Sequence, residues 1–178
     1  LTMRTLTAGD RAVIAEFLLS DPAHTRICFD REPVPEDADA LLSSAAYGAG
    51  APAHALVGAF DAGGTLVGLL DWVARWPTPA SGYVGLLQVR PGRRGAGIGT
   101  ALLAHAQDAA RAQGCRQLML SVIARHREAR TFWCRQGFQL LSAHRERTAG
   151  PLEAVVMHRP IPARGPEEHH GLGATLSA

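Results

Sequence analysis

Apolar residues recur along this chain with two different periods. After a short apolar start, Thr7-Ala8-Gly9-Asp10 has the form of a capping box, and Val13, Ile14, Phe17 and Leu18 follow at helical spacing. The pattern predicts a strand at about 2–6 and a helix at about 8–19. Asp21 to Asp39 is polar, carries three prolines and has no strong period, and Ala38 to Tyr47 then predicts a second helix closed by Gly48. His54 to Phe60 and Thr65 to Trp72 are strand-like runs around the turn Asp61-Ala62-Gly63-Gly64, which is the signature of a hairpin.

A proline-containing loop, Trp76 to Ser81, leads to the apolar run Tyr83 to Val89, which Pro91 and Gly92 end. From Ile98, the residues Leu102, Leu103, Ala106, Ala109 and Ala110 make an apolar stripe on a helix that Gly114 stops. Gln117 to Ile123 predicts a strand, Glu128 to Gln136 a short helix ended by Gly137, and Phe138 to Ala143 and Leu152 to His158 two final strands around a turn at Ala149-Gly150-Pro151. This order of seven strands among helices predicts an α/β fold with a mixed sheet and helices on its faces. One domain over residues 1–162 is expected, and 163–178, rich in Pro, Gly, Ala and polar residues without a period, reads as a disordered tail.

Composition narrows the function classes. No apolar run approaches the ~20 residues that span a bilayer, and the start lacks a basic stretch followed by an apolar core, so a soluble, cytoplasmic protein is expected, without a membrane partner. All 18 basic residues are Arg, and the net charge of +2 is small and evenly spread, which argues against a nucleic-acid surface. Cys28, Cys115 and Cys134 have no paired spacing, so neither a disulfide framework nor a zinc pattern can be built from them. His169-His170 lacks the i, i+4 spacing of a helix-borne metal pair, and no metal is expected.

The candidate chemistry sits where the strand ending at Val89 meets Arg93-Arg94-Gly95-Ala96-Gly97-Ile98-Gly99-Thr100 and a helix opens. A glycine loop at a helix N-terminus leaves backbone N–H groups pointing at open space, where the dipole favours negative charge, so it suits a phosphate or pyrophosphate. Arg93 and Arg94 would add charge. A P-loop needs a Lys before Ser or Thr, and this chain has no Lys. The dinucleotide fingerprint needs a different glycine spacing and an acidic residue about 20 positions on, where Leu118-Met119-Leu120 stands instead.

Arg94, Gly97 and Gly99 match the pattern Arg-x-x-Gly-x-Gly, and Ala129, Trp133, Gly137 and Phe138 match Ala-x-x-x-aromatic-x-x-x-Gly-Phe, about 30 residues later. With these two motifs in this order the sequence resembles the GNAT superfamily of acetyl-coenzyme A-dependent N-acetyltransferases, over roughly residues 2 to 160. The resemblance implies a three-layer α+β arrangement, with a mostly antiparallel sheet of about seven strands and helices on both faces. It implies that the amides of Arg94, Gly95, Ala96, Gly97, Ile98, Gly99 and Thr100 hold the coenzyme A pyrophosphate and that Leu87, Gln88 and Val89 pair with the pantetheine arm. His126, Ala129 and Trp133 would line the cofactor. The implied reaction is acetyl transfer to a primary amine of a small molecule or peptide by direct attack in a ternary complex; the rival reading is an acyl-coenzyme A-binding protein without transferase activity. Family members are often dimers, so a homodimer is a further expectation. Trp76-Pro77-Thr78-Pro79 and Gly85-Leu86-Leu87 resemble segments of bacterial members.

The sequence departs from the family at its proton-transfer groups. Trp133 stands where many members carry a Tyr that protonates the departing thiolate, and an indole N–H is no acid near neutral pH. Trp133 reads as core. His126 stands where the family has an Asn. Three candidates are left for the base, namely Tyr83, Asp71 and His126, although a solvated strand-end carboxylate is the first expectation for Asp71. Cys134, beside Trp133, is expected to be a small buried hydrophobe rather than a nucleophile.

Overall fold

The computed structural model describes residues 1–43, 54–147 and 152–162. The elements are β1 (Thr2–Thr5), a 3₁₀ turn (Ala8–Asp10) running into α1 (Arg11–Leu19), α2 (Pro22–Phe29), α3 (Asp37–Leu42), β2 (His54–Phe60), β3 (Leu66–Ala74), β4 (Ser81–Val89), α4 (Ile98–Ala112), β5 (Gln117–Ile123), α5 (Arg127–Arg135), β6 (Gln139–Arg147) and β7 (Glu153–Pro160). The expected end of the second helix at Tyr47 and Gly48, the turn at Ala149 to Pro151 and the tail 163–178 lie outside the described residues. β6 runs four residues beyond the expected end at Ala143.

The strands form one sheet in the order β1-β2-β3-β4-β5-β7-β6. Every neighbouring pair is antiparallel except β4 and β5. That parallel pair is what a strand–helix–strand crossover through α4 produces. Two cores follow from the two faces. On one, Leu102, Leu103, Ala106 and Ala110 of α4 and Trp133 of α5 pack with Val84, Leu118 and Leu120 of the sheet; on the other, Ile14, Phe17 and Leu18 of α1 and Ala38 of α3 pack with Leu56, Leu66 and Leu69. The α4 contact is close because a Cβ at Gly68 of β3 would meet Ile98 Cγ2 at 2.8 Å and Leu102 Cδ1 at 2.9 Å. Any side chain there would push α4 off the sheet.

One correction concerns 21–39. The sequence pattern predicts no element before Ala38, but Asp21 caps α2, accepting from the His24 amide at 3.4 Å, and Pro22 occupies the first turn. An Asp followed by Pro is a helix-start signal, since the missing proline N–H is one that a helix leaves unpaired anyway. The short stretch that follows carries too few apolar residues to reveal a period.

Candidate active site

The feature that organises the site is the parting of β4 and β5. Their ladder runs from Ser81↔Gln117 to Val84↔Leu120 and ends there, while β4 stays paired with β3 as far as Gly68↔Val89. The cause lies in a bulge. Asp71 opposes Leu86 and Trp72 opposes Val84, so Gly85 is an extra residue on β4. An extra residue bends the strand that carries it. Beyond the bulge, β4 diverges from β5 and leaves a cleft of about 390 Å³ whose walls include Gly85, Leu87, Ser121 and Ile123.

The cleft continues into a second cavity of about 680 Å³ over the glycine loop, between Arg94 to Thr100 and the face of α5 that carries Ala129, Phe132 and Trp133. Gly95 and Gly97 have φ of 81° and 78°, a region that only glycine enters freely, and a Cβ at either would meet no heavy atom within 4 Å. The loop therefore exposes backbone to open space. Ala101 is bonded back to Gly97 O at 3.0 Å, and helix geometry leaves the amides of Ile98, Gly99 and Thr100 without an acceptor in the preceding turn. Gln136, just after α5, donates to Thr100 Oγ1 at 3.1 Å and fastens the far wall to the loop. These donors and this cavity fit an anionic, elongated ligand.

The arginines of the loop, Arg93 and Arg94, both line this cavity, and each is also paired with a carboxylate. Arg93 pairs with Asp61 at 3.0 Å. Arg94 pairs with the buried Asp21 and donates to Val89 O. Part of their charge at the loop is thus met by carboxylates, so the amides and the helix end share the anion cradle with two half-exposed, already paired guanidinium groups. Asp21 also accepts from Gln88 Nε2 at 3.2 Å, so Gln88, only 4% exposed, turns toward α2.

The three proposed bases occupy different settings. Asp71 is not a solvated strand end: it lies within β3, 4% exposed, with His54 Nδ1 2.7 Å from its Oδ1. The bulge and the pairing of β3 on both sides bury it, and it does not line either cavity. Tyr83 packs edge-on against Trp76 and donates to Ser121 Oγ at 2.8 Å, and it is Ser121 that reaches the cleft. His126 lines both cavities. It caps α5, with Nδ1 accepting from Ala129 N at 3.4 Å, and burial holds its pKa below the ordinary value.

Trp133 is core, 6% exposed between Phe132 and Phe138, with its ring also forming part of the cleft wall. Cys134 corrects the sequence reading, because it is exposed: the buried side of α5 is occupied by Trp133, and the next residue turns away from it. Two side chains that sequence reasoning passes over, His24 and Ser121, also line the cleft, together with Cys28, which it reads only as a cysteine without paired spacing. Burial pushes His24 down to about 4 and the Cys28 thiol up to about 11. His24 and Cys28 have i, i+4 spacing, a signal that becomes readable once α2 is recognised as a helix.

A family model described as Acetyltransferase (GNAT) family matches residues 18–138. The chain belongs to this family. Among solved structures of similar fold, an acetyltransferase from Thermus thermophilus is 23% identical, with 90% of this chain and 97% of that one covered and a TM-score of 0.69. The PaiA N-acetyltransferase of Thermoplasma acidophilum, solved in complex with coenzyme A, is 19% identical over 89% of this chain and 98% of that one, at a TM-score of 0.67. A GCN5-related N-acetyltransferase from Kribbella flavida is 25% identical over 89% and 96%, at 0.65. No match is found among curated proteins. The GNAT fold and its seven-stranded, mostly antiparallel sheet are as expected, and the family supports acyl transfer with acetyl-coenzyme A. Among the described residues no helix is long and apolar enough to cross a membrane.

Proposed function

We propose that this GNAT protein transfers an acetyl group from acetyl-coenzyme A to a primary amine by direct attack in a ternary complex. The observation that carries the reading is the parting of β4 from β5 beyond Val84↔Leu120, in line with the glycine loop at the start of α4. The loop amides would hold the pyrophosphate, and the free edge of β4 at Leu87 to Val89 would pair with the pantetheine arm. The thioester would then lie in the cleft beside Gly85 and Ser121. Backbone donors on a bulged strand suit the oxyanion that forms when the amine adds to the thioester carbon.

His126 is the candidate base best placed for the amine proton, since it lines the cleft and its lowered pKa keeps it unprotonated near neutral pH. When the tetrahedral intermediate collapses, the C–S bond breaks and the thiolate takes a proton from water, or from Ser121 as Tyr83 passes its phenolic proton to Ser121 Oγ and solvent then restores the phenol. Asp71, shielded behind His54, is assigned a structural role. Coenzyme A thiolate is a tolerable leaving group near neutral pH, so Tyr83→Phe should reduce turnover by less than the ~10²-fold at the low end of positioned proton transfer. Measuring thiol release from acetyl-coenzyme A across a panel of small and peptide amines tests the reading. Turnover on at least one amine is expected, and tight coenzyme A binding without release on any of them favours an acyl-coenzyme A-binding protein instead.

A further inference from the structure

The α2 side of the cleft gathers side chains that the acetyl-transfer reading does not need together. His24 and Cys28 lie one turn apart on α2, and His126 faces them from the N-terminus of α5. One ligand atom of each lies within 4.8 Å of those of the other two. Cys28 Sγ is 3.9 Å from His24 Nδ1, and the imidazole rings of His24 and His126 have centroids 6.1 Å apart. Nitrogen and sulfur ligands of a tetrahedral zinc ion, at their usual bond lengths, stand ~3.4 to 3.6 Å from one another. The cluster therefore has to close by roughly an ångström, which is within the reach of side-chain rotation.

The backbone beneath these ligands is fastened at both ends of α2. At its N-terminus Asp21 holds Arg94, from the loop after β4. At its C-terminus Arg125, from the loop after β5, donates to Ile27 O at 3.2 and 3.3 Å and to Arg26 O at 3.2 Å. Arg125 immediately precedes His126, so the tie that fixes α2 also fixes the third ligand's position relative to the first two.

We propose that His24, Cys28 and His126 form a binding site for a zinc-type ion, with its fourth position open to the cleft between β4 and β5. Two imidazoles and one thiolate are a borderline-soft donor set that favours zinc and its late first-row neighbours over magnesium or calcium, which require oxygen. Three protein ligands and one open position suit an ion that takes an exogenous fourth ligand. Binding releases the Cys28 thiol proton to water as the Zn–S bond forms. Coordination through Nε2 of His126 would put the ring proton on Nδ1, give up the long cap bond to Ala129 and occupy the lone pair that the base role needs, so the metal-bound form holds His126 out of proton transfer and the two roles belong to different states of the protein.

Cobalt is the probe, because a thiolate on tetrahedral Co²⁺ gives a charge-transfer band in the near ultraviolet together with visible d–d bands. Titrating the chelator-treated full chain with Co²⁺ should develop both at one equivalent, and Zn²⁺ should abolish them. Cys28→Ser should remove the charge-transfer band, whereas Cys134→Ser should leave it intact. His24→Ala and His126→Ala should each weaken Zn²⁺ affinity at least tenfold, with circular dichroism checking that the variants are folded. The assignment is overturned if no thiolate band forms, if the band survives Cys28→Ser, or if replacing His169 and His170 with Ala abolishes binding. All of these readouts are independent of turnover, so they stand whether or not the acetyl-transfer reading holds.

Discussion

The β4–α4 wall of the cleft is made by one continuous run of chain, whereas the α2 wall is fastened by partners 67 to 99 residues away. The first wall works through backbone: a strand, two glycines at positive φ and the free amides of a helix end. The second works through side chains, with Asp21 holding Gln88 and Arg94, and Arg125 holding the other end of α2. A wall made of local backbone tolerates most side-chain changes and fails at its glycines. A wall made of distant side chains should instead loosen when a single buried carboxylate is removed.

The largest effect is expected at Gly97. Its φ of 78° strains any β-branched residue, and an added side chain would project into the cavity over the loop, where nothing lies within 4 Å of the new Cβ. Gly97→Val should therefore weaken coenzyme A binding at least 100-fold, equivalent to about 2.8 kcal/mol. The fold should survive with a loss of about 1 to 3 kcal/mol from backbone strain. Titration calorimetry on the folded variant decides: unchanged affinity removes the loop from the binding site.

This difference between the walls also explains what can be read from the sequence. The glycine loop is legible because everything that defines it, from Val89 to Thr100, is adjacent in the chain. The hairpin, α4 and its apolar stripe are legible for the same reason. The cluster of His24, Cys28 and His126 is not, because its members are far apart in sequence and two of them sit on a helix whose periodicity is too weak to detect. Asp71 shows the limit in another form. Its place near the end of an apolar strand suggests a solvated carboxylate, and only the pairing of β3 with β2 and β4 reveals that His54 covers it. Cys134 is misread because an average preference of cysteine for burial is set above the geometry of α5, which already commits its inner face to Trp133.

A smaller effect is expected at Asp21, and it tests the side-chain wall directly. The carboxylate is 3% exposed, caps α2 and accepts from Arg94 and Gln88. Asp21→Ala removes the cap and leaves a half-exposed guanidinium and a buried amide without this acceptor. A loss of about 2 to 3 kcal/mol in denaturant unfolding is expected. Because Arg94 and Arg125 hold opposite ends of α2, amide exchange should rise across 22–29 more than across 98–112. Equal protection of both helices would mean that α2 is held by something other than this network.

Asp10 provides the control for that experiment, since its carboxylate closes the capping box back to Thr7 ahead of α1 with none of the long-range ties, and it should show the smallest effect. It accepts from the Thr7 amide at 2.9 Å and pairs with Arg4 at 2.6 Å, six residues away. The Arg4 guanidinium, aided by the Thr7 amide, lowers its pKa from 3.8 to about 2. A carboxyl depressed in the folded state stabilises the protein at every pH above its unfolded value, and that contribution disappears as pH falls from about 4 through about 2. Arg4 is half-exposed, so solvent screens the pair and Asp10→Asn should lose only a few tenths to about 1 kcal/mol at neutral pH. The difference between variant and parent should shrink over the same acid window and vanish below about 2, where both side chains are neutral. Unfolding curves at stepped pH read this directly. A loss at Asp10 as large as that at Asp21 would show that capping alone, rather than burial and distant partners, sets the strength of the α2 wall.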